Sequence, residues 1–240
     1  MAMALGLARR GLGNAWPNPA VGCVLVRPDL EGCRDGGGRV VGRGWTQPGG
    51  RPHAETEALA RAGDLARGAT AYVTLEPCCH TGQTGPCTEA LITAGIRRAV
   101  VATSDPDGRV AGQGIAALEK AGITVTLGLD EDRAREVNAG YFTRAAKGRP
   151  LVLLKAASSL DGRIAAAGGD SKWVTSDAAR ARGHLMRAQS DAILVGIGTA
   201  LADDPELTCR LPGMDSQSPA RVVLDTHLKT PPTGKLAASA

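Results

Sequence analysis

The sequence reads as two successive α/β units. Three observations lead to this. Between Val21 and Leu127, short apolar runs alternate with helix-forming stretches, the pattern of a mainly parallel sheet with helices on both faces. Lys147-Gly148-Arg149-Pro150 then interrupts the alternation and reads as a linker. A second strand-and-helix rhythm starts at Leu151, so the units are set at residues 1–147 and 148–240.

In chain order, Met1–Arg10 carries apolar residues on one helical face, and Gly11 and Gly13 stop it. Trp16-Pro17-Asn18-Pro19 is extended, because a residue before proline is pushed out of the helical region. Val21–Val26, bounded by glycine and proline, is a buried strand. Gly32–Gly38 is a turn, and Arg39–Arg43 is the returning strand of a hairpin. Glu55–Ala62 is a helix of good formers that ends at Gly63. Ala71–Leu75 is a strand with Pro77-Cys78 directly after it, and Pro86-Cys87 opens a helix that runs toward Gly95. Strand Arg98–Ala102, helix Gly114–Ala121 and strand Ile123–Leu127 follow, and Glu131–Ala146 closes the unit as a helix. In the second unit Leu151–Ala156, Ile193–Val195 and Val222–Leu224 read as strands and Asp177–Ala188 as a helix. Three strands are fewer than a doubly wound sheet usually has, so the expectation is a very small domain or a fragment of a longer one.

Composition narrows the class. The chain is 43% hydrophobic and 22% charged, the balance of a soluble globular protein. Aromatic residues make up only 2%, so Ala, Val, Leu and Ile must build the core. The net charge of +4 is spread without a Lys/Arg run, which argues against a nucleic-acid partner and suits an anionic small substrate. No apolar run approaches a membrane span, and Met1–Leu12 lacks the order of a signal peptide. The expectation is therefore a cytoplasmic protein without membrane contact, with a homo-oligomer left open. In that setting the six cysteines point to metal or catalysis ahead of disulfides.

The stretch Pro52–Cys87 carries the chemistry. It opens with Pro52-His53-Ala54-Glu55 and ends with Glu76-Pro77-Cys78, a loop, and Pro86-Cys87. One His and two Cys give Zn²⁺ three ligands and leave a fourth tetrahedral position to water. Glu55 is then free to move protons, as the carboxylate of an H-x-E does in zinc deaminases. His53 and Glu55 fall at the first turn of a helix, where unpaired backbone N–H groups favour negative charge. Two other readings stay open. Cys79 or His80 could complete a closed structural site, and a cysteine could act as nucleophile with His53 as base. The second leaves Glu55 and the third sulfur without a task.

The residues Pro17-Asn18-Pro19-Ala20-Val21-Gly22-Cys23, Pro52-His53-Ala54-Glu55 and Thr74-Leu75-Glu76-Pro77-Cys78 through Pro86-Cys87 resemble the bifunctional riboflavin-biosynthesis deaminase–reductase family. Lys155–Arg163, Ser171–Ser176 and Leu201–Arg210 resemble the opening of that family's reductase domain. The interval between Cys78 and Cys87 is typical of the family and unlike that of cytidine and tRNA-adenosine deaminases. The resemblance implies a cytidine-deaminase-like three-layer α/β/α domain followed by an incomplete dihydrofolate-reductase-like α/β domain. It implies zinc-dependent removal of the 2-amino group of 2,5-diamino-6-ribosylamino-4(3H)-pyrimidinone 5′-phosphate, then NADPH-dependent reduction of the ribosyl group to ribityl. It also implies Asn18 and His80 against the deaminase substrate, and Ser171, Arg187, Leu207 and Arg210 against the reductase substrate, with Lys155 in the same pocket. Ala157, Trp173, Thr199, Asp203 and Thr226 would line the NADPH site.

The sequence departs from the family in three places. Thr46 stands where the family usually has a His, and Gln83 where it has a basic residue, so recognition of the substrate phosphate is weakened or reassigned. A glycine-rich segment that the family uses for the NADPH phosphates is not found in this sequence, and the expectation is weak reductase activity from this chain alone. Deamination of another aminopyrimidine or purine, and a non-catalytic paralogue that keeps zinc for folding, are the competing readings.

Overall fold

The computed structural model describes residues 1–28 and 38–239, so the expected turn at Gly32–Gly38 lies almost wholly outside the described residues. The chain divides into two compact units, Met1–Leu151 and Val152–Ala240.

The first unit is built on a five-stranded sheet in the order β2-β1-β3-β4-β5. Its strands are β1 (Gly22–Arg27), β2 (Arg39–Trp45), β3 (Thr70–Val73), β4 (Arg98–Val101) and β5 (Thr124–Leu127). The sheet is mainly parallel in direction, with one exception: β1 is antiparallel to both β2 and β3, so β2, β3, β4 and β5 all run the same way and β1 alone runs against them. The sequence predicts the β1–β2 hairpin but not the antiparallel pairing of β1 with β3.

Helices cover both faces. Helix α1 (Ala2–Ala8) packs on β1, and helix α2 (Ala54–Ala62) packs on β2 and β1 from the other side. The β1–β2 register pairs Cys23 with Gly44 and Leu25 with Gly42, which sets these four on the α2 face. There a Cβ on Gly44 would collide with the carbonyl oxygen of Ala54, and one on Gly42 with that of Ala58. The two glycines let the helix backbone lie directly on the strand. Helices α3 (Cys87–Thr93) and α4 (Gln113–Lys120) extend the layer, with Leu25, Val73, Leu75, Leu91, Val101 and Leu118 buried at 1% exposure or less. Each such side chain contributes roughly 1.5–3 kcal/mol of transfer free energy.

The single closing helix expected over Glu131–Ala146 is two, α5 (Glu131–Val137) and α6 (Ala139–Lys147). Asn138 breaks it. Its Oδ1 accepts from Ala20 N at 2.9 Å and its Nδ2 donates to Ala20 O at 2.9 Å, so the amide is spent on pinning the distant proline loop.

The second unit holds α7 (Asp177–Ala188), β6 (Ala192–Gly196), α8 (Ile197–Asp203), β7 (Ala220–Leu224) and α9 (Lys235–Ala238). Ser176 caps α7, its Oγ accepting from Ala179 N at 3.3 Å. Strands β6 and β7 form a parallel pair. The expected strand at Leu151–Ala156 is absent from the described residues: Val152 is 78% and Leu154 89% exposed. An apolar run becomes a strand only with a ladder partner, and β6 and β7 pair only with each other. Among the described residues no helix is long and apolar enough to cross a membrane.

Candidate metal centre and its surroundings

Three elements of the first unit converge on one point. The close seat of α2 on β2 brings forward its N-cap, His53, and Glu55 in its first turn. Past the end of β3, buried Thr74 accepts Gly22 N on its Oγ1 at 3.0 Å, which aims the chain at Cys78. Cys87 is the first residue of α3, and its N–H donates to Cys78 Sγ at 3.3 Å, so a free helix-end amide meets a sulfur. His53 Nδ1 lies 3.3 Å from Cys87 Sγ and 3.6 Å from Cys78 Sγ. The ligand atoms of His53, Cys78 and Cys87 all lie within 4.8 Å of one another. Two sulfurs and one imidazole nitrogen are a donor set that suits zinc, with one position left open.

The charges of the cluster are interdependent. The hydrogen bond from the Cys87 thiol, aided by His53, brings Cys78 down to about 4, while the same bond and burial push Cys87 up. His53 is raised chiefly by its hydrogen bond to Cys78. Glu55 is 4% exposed, and burial, with Cys78 second, pushes its carboxyl up to about 7. A carboxyl titrating near neutrality beside an open coordination position is suited to picking up and releasing protons.

Around the cluster, Asn18 Nδ2 donates to Gly50 O at 2.8 Å and sits 3.3 Å from His53 Nε2, so it reaches the imidazole from the side opposite the sulfurs. His80 keeps a buried Nδ1 that has no partner among the described residues. Thr46 is buried at 2%, and its hydroxyl accepts from Val21 N and donates to Pro19 O, which commits it to the proline loop. Cys79 Sγ faces Arg109 O at 3.6 Å and is outside the ligand cluster.

Two residues with structural weight carried no role in the sequence reading. Glu76 is 3% exposed, and its carboxylate accepts the amides of Asp105, Gly112, Gly114 and Ile115 at 2.9–3.2 Å. A carboxylate between an apolar strand and Pro77-Cys78 was the signal, since such a group is buried only with partners. Arg51 donates from Nη1 to Thr84 Oγ1 at 2.6 Å, and no sequence pattern announces that contact.

In the second unit the structure brings part of the expected set together. Arg187 Nη1 donates to Thr208 O at 3.2 Å and lies 3.3 Å from His184 Nδ1. Arg210 N is 3.2 Å from the same His184 Nδ1, and Leu207 is buried next in line at 5%. His184, absent from the sequence reading, thus joins α7 to the 207–210 segment; burial and the two arginines push it down. Thr199 and Asp203 lie on α8, directly after β6, and Thr226 follows β7. Because β6 and β7 run parallel, these three positions come after the carboxyl ends of neighbouring strands. Lys155 and Ser171 are exposed, and Ala157 is half-buried. Trp173 is 70% exposed with the Arg180 guanidinium 4.5 Å from its ring centre. No hydrogen bond among the described residues links Ala157, Trp173, Thr199, Asp203 and Thr226 to one another.

A three-layer unit with an H-x-E and two cysteines around one point, ahead of a smaller α/β unit, defines a deaminase-type zinc-binding protein with a second domain. Residues 1–103 match the family model of the cytidine and deoxycytidylate deaminase zinc-binding region, and residues 150–240 match that of the RibD C-terminal domain. The chain is similar to RibD proteins along nearly its whole length. It is 45% identical to the riboflavin biosynthesis protein RibD of Aquifex aeolicus over 236 residues, 98% of this chain and 64% of the relative. To the Escherichia coli protein it is 46% identical over 247 residues, 98% of this chain and 65% of the relative. It thus spans slightly less than two thirds of the length of these relatives. Among solved structures, Acinetobacter baumannii RibD superposes with a TM-score of 0.85 at 45% identity, covering 99% of this chain and 65% of that one. A Thermotoga maritima diaminohydroxyphosphoribosylaminopyrimidine deaminase/5-amino-6-(5-phosphoribosylamino)uracil reductase superposes at 0.83 with 43% identity, covering 94% and 62%.

Proposed function

We propose that the first unit is a zinc-dependent hydrolytic deaminase that acts on 2,5-diamino-6-ribosylamino-4(3H)-pyrimidinone 5′-phosphate in riboflavin biosynthesis, in the cytoplasm. The observation that carries this reading is the convergence of His53 Nδ1, Cys78 Sγ and Cys87 Sγ beside the buried carboxyl of Glu55. Those three side chains would hold the zinc, which when bound supplies an acidified water, its pKa lowered to about 7. Glu55 would take one proton from that water on its carboxylate and deliver it to a ring nitrogen, then take the second from the hydroxyl added to the ring carbon and pass it to the departing ammonia. Its place at the start of α2 fixes the carboxylate where it can serve as base and then as acid. Asn18 holds the imidazole side of the site, and the unpaired Nδ1 of His80 is a hydrogen-bonding atom for the substrate.

In the same reading the second unit belongs to an NADPH-dependent reductase that converts the ribosyl group to ribityl. Thr199, Asp203 and Thr226, after the carboxyl ends of parallel strands, lie where open α/β sheets bind nucleotides; Ala157 and Trp173 are assigned to the same cofactor. The buried Asp225 Oδ1, unpartnered among the described residues, marks the same edge as polar. Arg187, held by Thr208 O, and Arg210, positioned by Glu206, are cations suited to a phosphate, with Leu207, Ser171 and Lys155 in the same substrate set. The reading is tested by supplying the phosphorylated diaminopyrimidine with NADPH and following ammonia release and NADPH oxidation in parallel. Ammonia release that requires zinc and Glu55 supports the deaminase. Release unaffected by chelation points to the competing thiol-nucleophile chemistry.

A further inference from the structure

We propose that Arg51 receives the phosphate end of the substrate at the deaminase site and sets its preference for phosphorylated over dephosphorylated pyrimidines; this rests on the deaminase reading above. Arg51 stands two residues ahead of His53, in extended backbone with φ −148° and ψ 147°. Its guanidinium is fastened to the loop between Cys78 and Cys87 through Thr84 Oγ1, 2.6 Å from Nη1. A Cβ added to Gly82 would come within 3.3 Å of Nη2, so the guanidinium lies along this loop. The loop from Cys79 to Pro86 carries no acidic residue, and Thr81, Gln83 and Thr84 are exposed on it.

Arg51 carries an uncompensated charge two residues from His53. Among the described residues, Arg61 is paired with Glu57 and Arg109 with Asp107, but no carboxylate lies within ion-pair distance of Arg51. The hydroxyl of Thr84 occupies one of five N–H donors and neutralises nothing. A planar fork with free donors, beside hydroxyls and free of acids, matches a phosphate monoester, which it can bind through two parallel bonds. A clasp between two loops would need only a neutral donor. Arg51 is thus a specificity residue and leaves the proton transfers to Glu55.

The test uses the 240-residue chain loaded with zinc, and compares the ribosylaminopyrimidine 5′-phosphate with its dephosphorylated counterpart. Wild type should prefer the phosphorylated substrate, with inorganic phosphate as a competitive inhibitor. Arg51→Gln should raise KM for the phosphorylated substrate by roughly tenfold or more, in line with loss of a charge-assisted hydrogen bond. Its kcat, its turnover of the dephosphorylated substrate and its zinc content should stay near wild type, and inhibition by inorganic phosphate should disappear. Arg51→Lys should restore part of the preference. Equal losses on both substrates would make Arg51 a loop clasp only, and an unchanged preference would remove it from the site. If the Gln variant does not fold, the Lys variant and phosphate competition in wild type decide, and no competition overturns the proposal. A zinc-loaded wild type inactive on both substrates defeats the deaminase reading itself, and this inference with it.

Discussion

The two units hold their candidate residues in different ways. In the first, His53, Glu55, Cys78 and Cys87 each sit at or just past the end of an element with one buried face: α2 against β2, the exit of β3, and the start of α3. In the second, the Arg187 guanidinium is held by the Thr208 carbonyl and that of Arg210 by Glu206 and the Thr208 hydroxyl, while Lys155, Ser171, Trp173 and Thr226 are exposed. Position in the first unit follows from packing, because moving a ligand means moving a helix. In the second it follows from a few hydrogen bonds near the surface, each worth about 1 kcal/mol.

Substitutions can break this contrast. The largest effect is expected from His53→Ala, Cys78→Ala or Cys87→Ala, each of which should abolish zinc retention and deamination, measured by elemental analysis and ammonia release. Full zinc in the Cys87→Ala protein would take that residue out of the site. Next, Glu55→Gln should keep the metal and lose ~10²-fold or more in kcat. Ammonia release near the wild-type rate would show that the carboxyl moves no proton. Glu76→Ala leaves several buried amides without an acceptor and should cost about 3 kcal/mol in chemical denaturation. Gly44→Ala forces a methyl into the Ala54 carbonyl and should cost roughly 1–3 kcal/mol. It should also loosen zinc, because α2 carries His53; a stable variant with normal zinc affinity would mean the helix yields freely. The smallest effect belongs to Leu154→Ser in the second unit, within about 0.5 kcal/mol of wild type. A cost of several kcal/mol there would show that Leu154 is packed in solution and that the contrast is overdrawn.

Much of the first unit was legible because its signals are local. Apolar runs bounded by glycine gave the positions of β1, β3, β4 and β5, and the H-x-E and Pro-Cys segments marked residues that the structure brings within reach of one another. Strand direction was not legible. Nothing in Val21–Val26 says that β1 must run against β3, because that depends on pairing between distant segments. The break at Asn138 was hidden for the same reason, as its partner is Ala20, 118 residues away. Leu151–Ala156 shows the opposite error, where composition promised a strand and no partner pairs with it. His184 and Arg51 went unnoticed because a lone His and a lone Arg on a sequence are most often solvated side chains.

Glu76 has one further consequence, in the language of exchange kinetics. Four amides, those of Asp105, Gly112, Gly114 and Ile115, share one carboxylate and hence one fate. None of them can be freed for long while Glu76 stays in place. Their deuterium uptake should therefore be slow and should rise as a group, with a common opening free energy, though residues 105–115 are mostly loop. The carboxylate makes a loop and the first turn of α4 behave as a single cooperative unit, tethered one residue ahead of Pro77-Cys78.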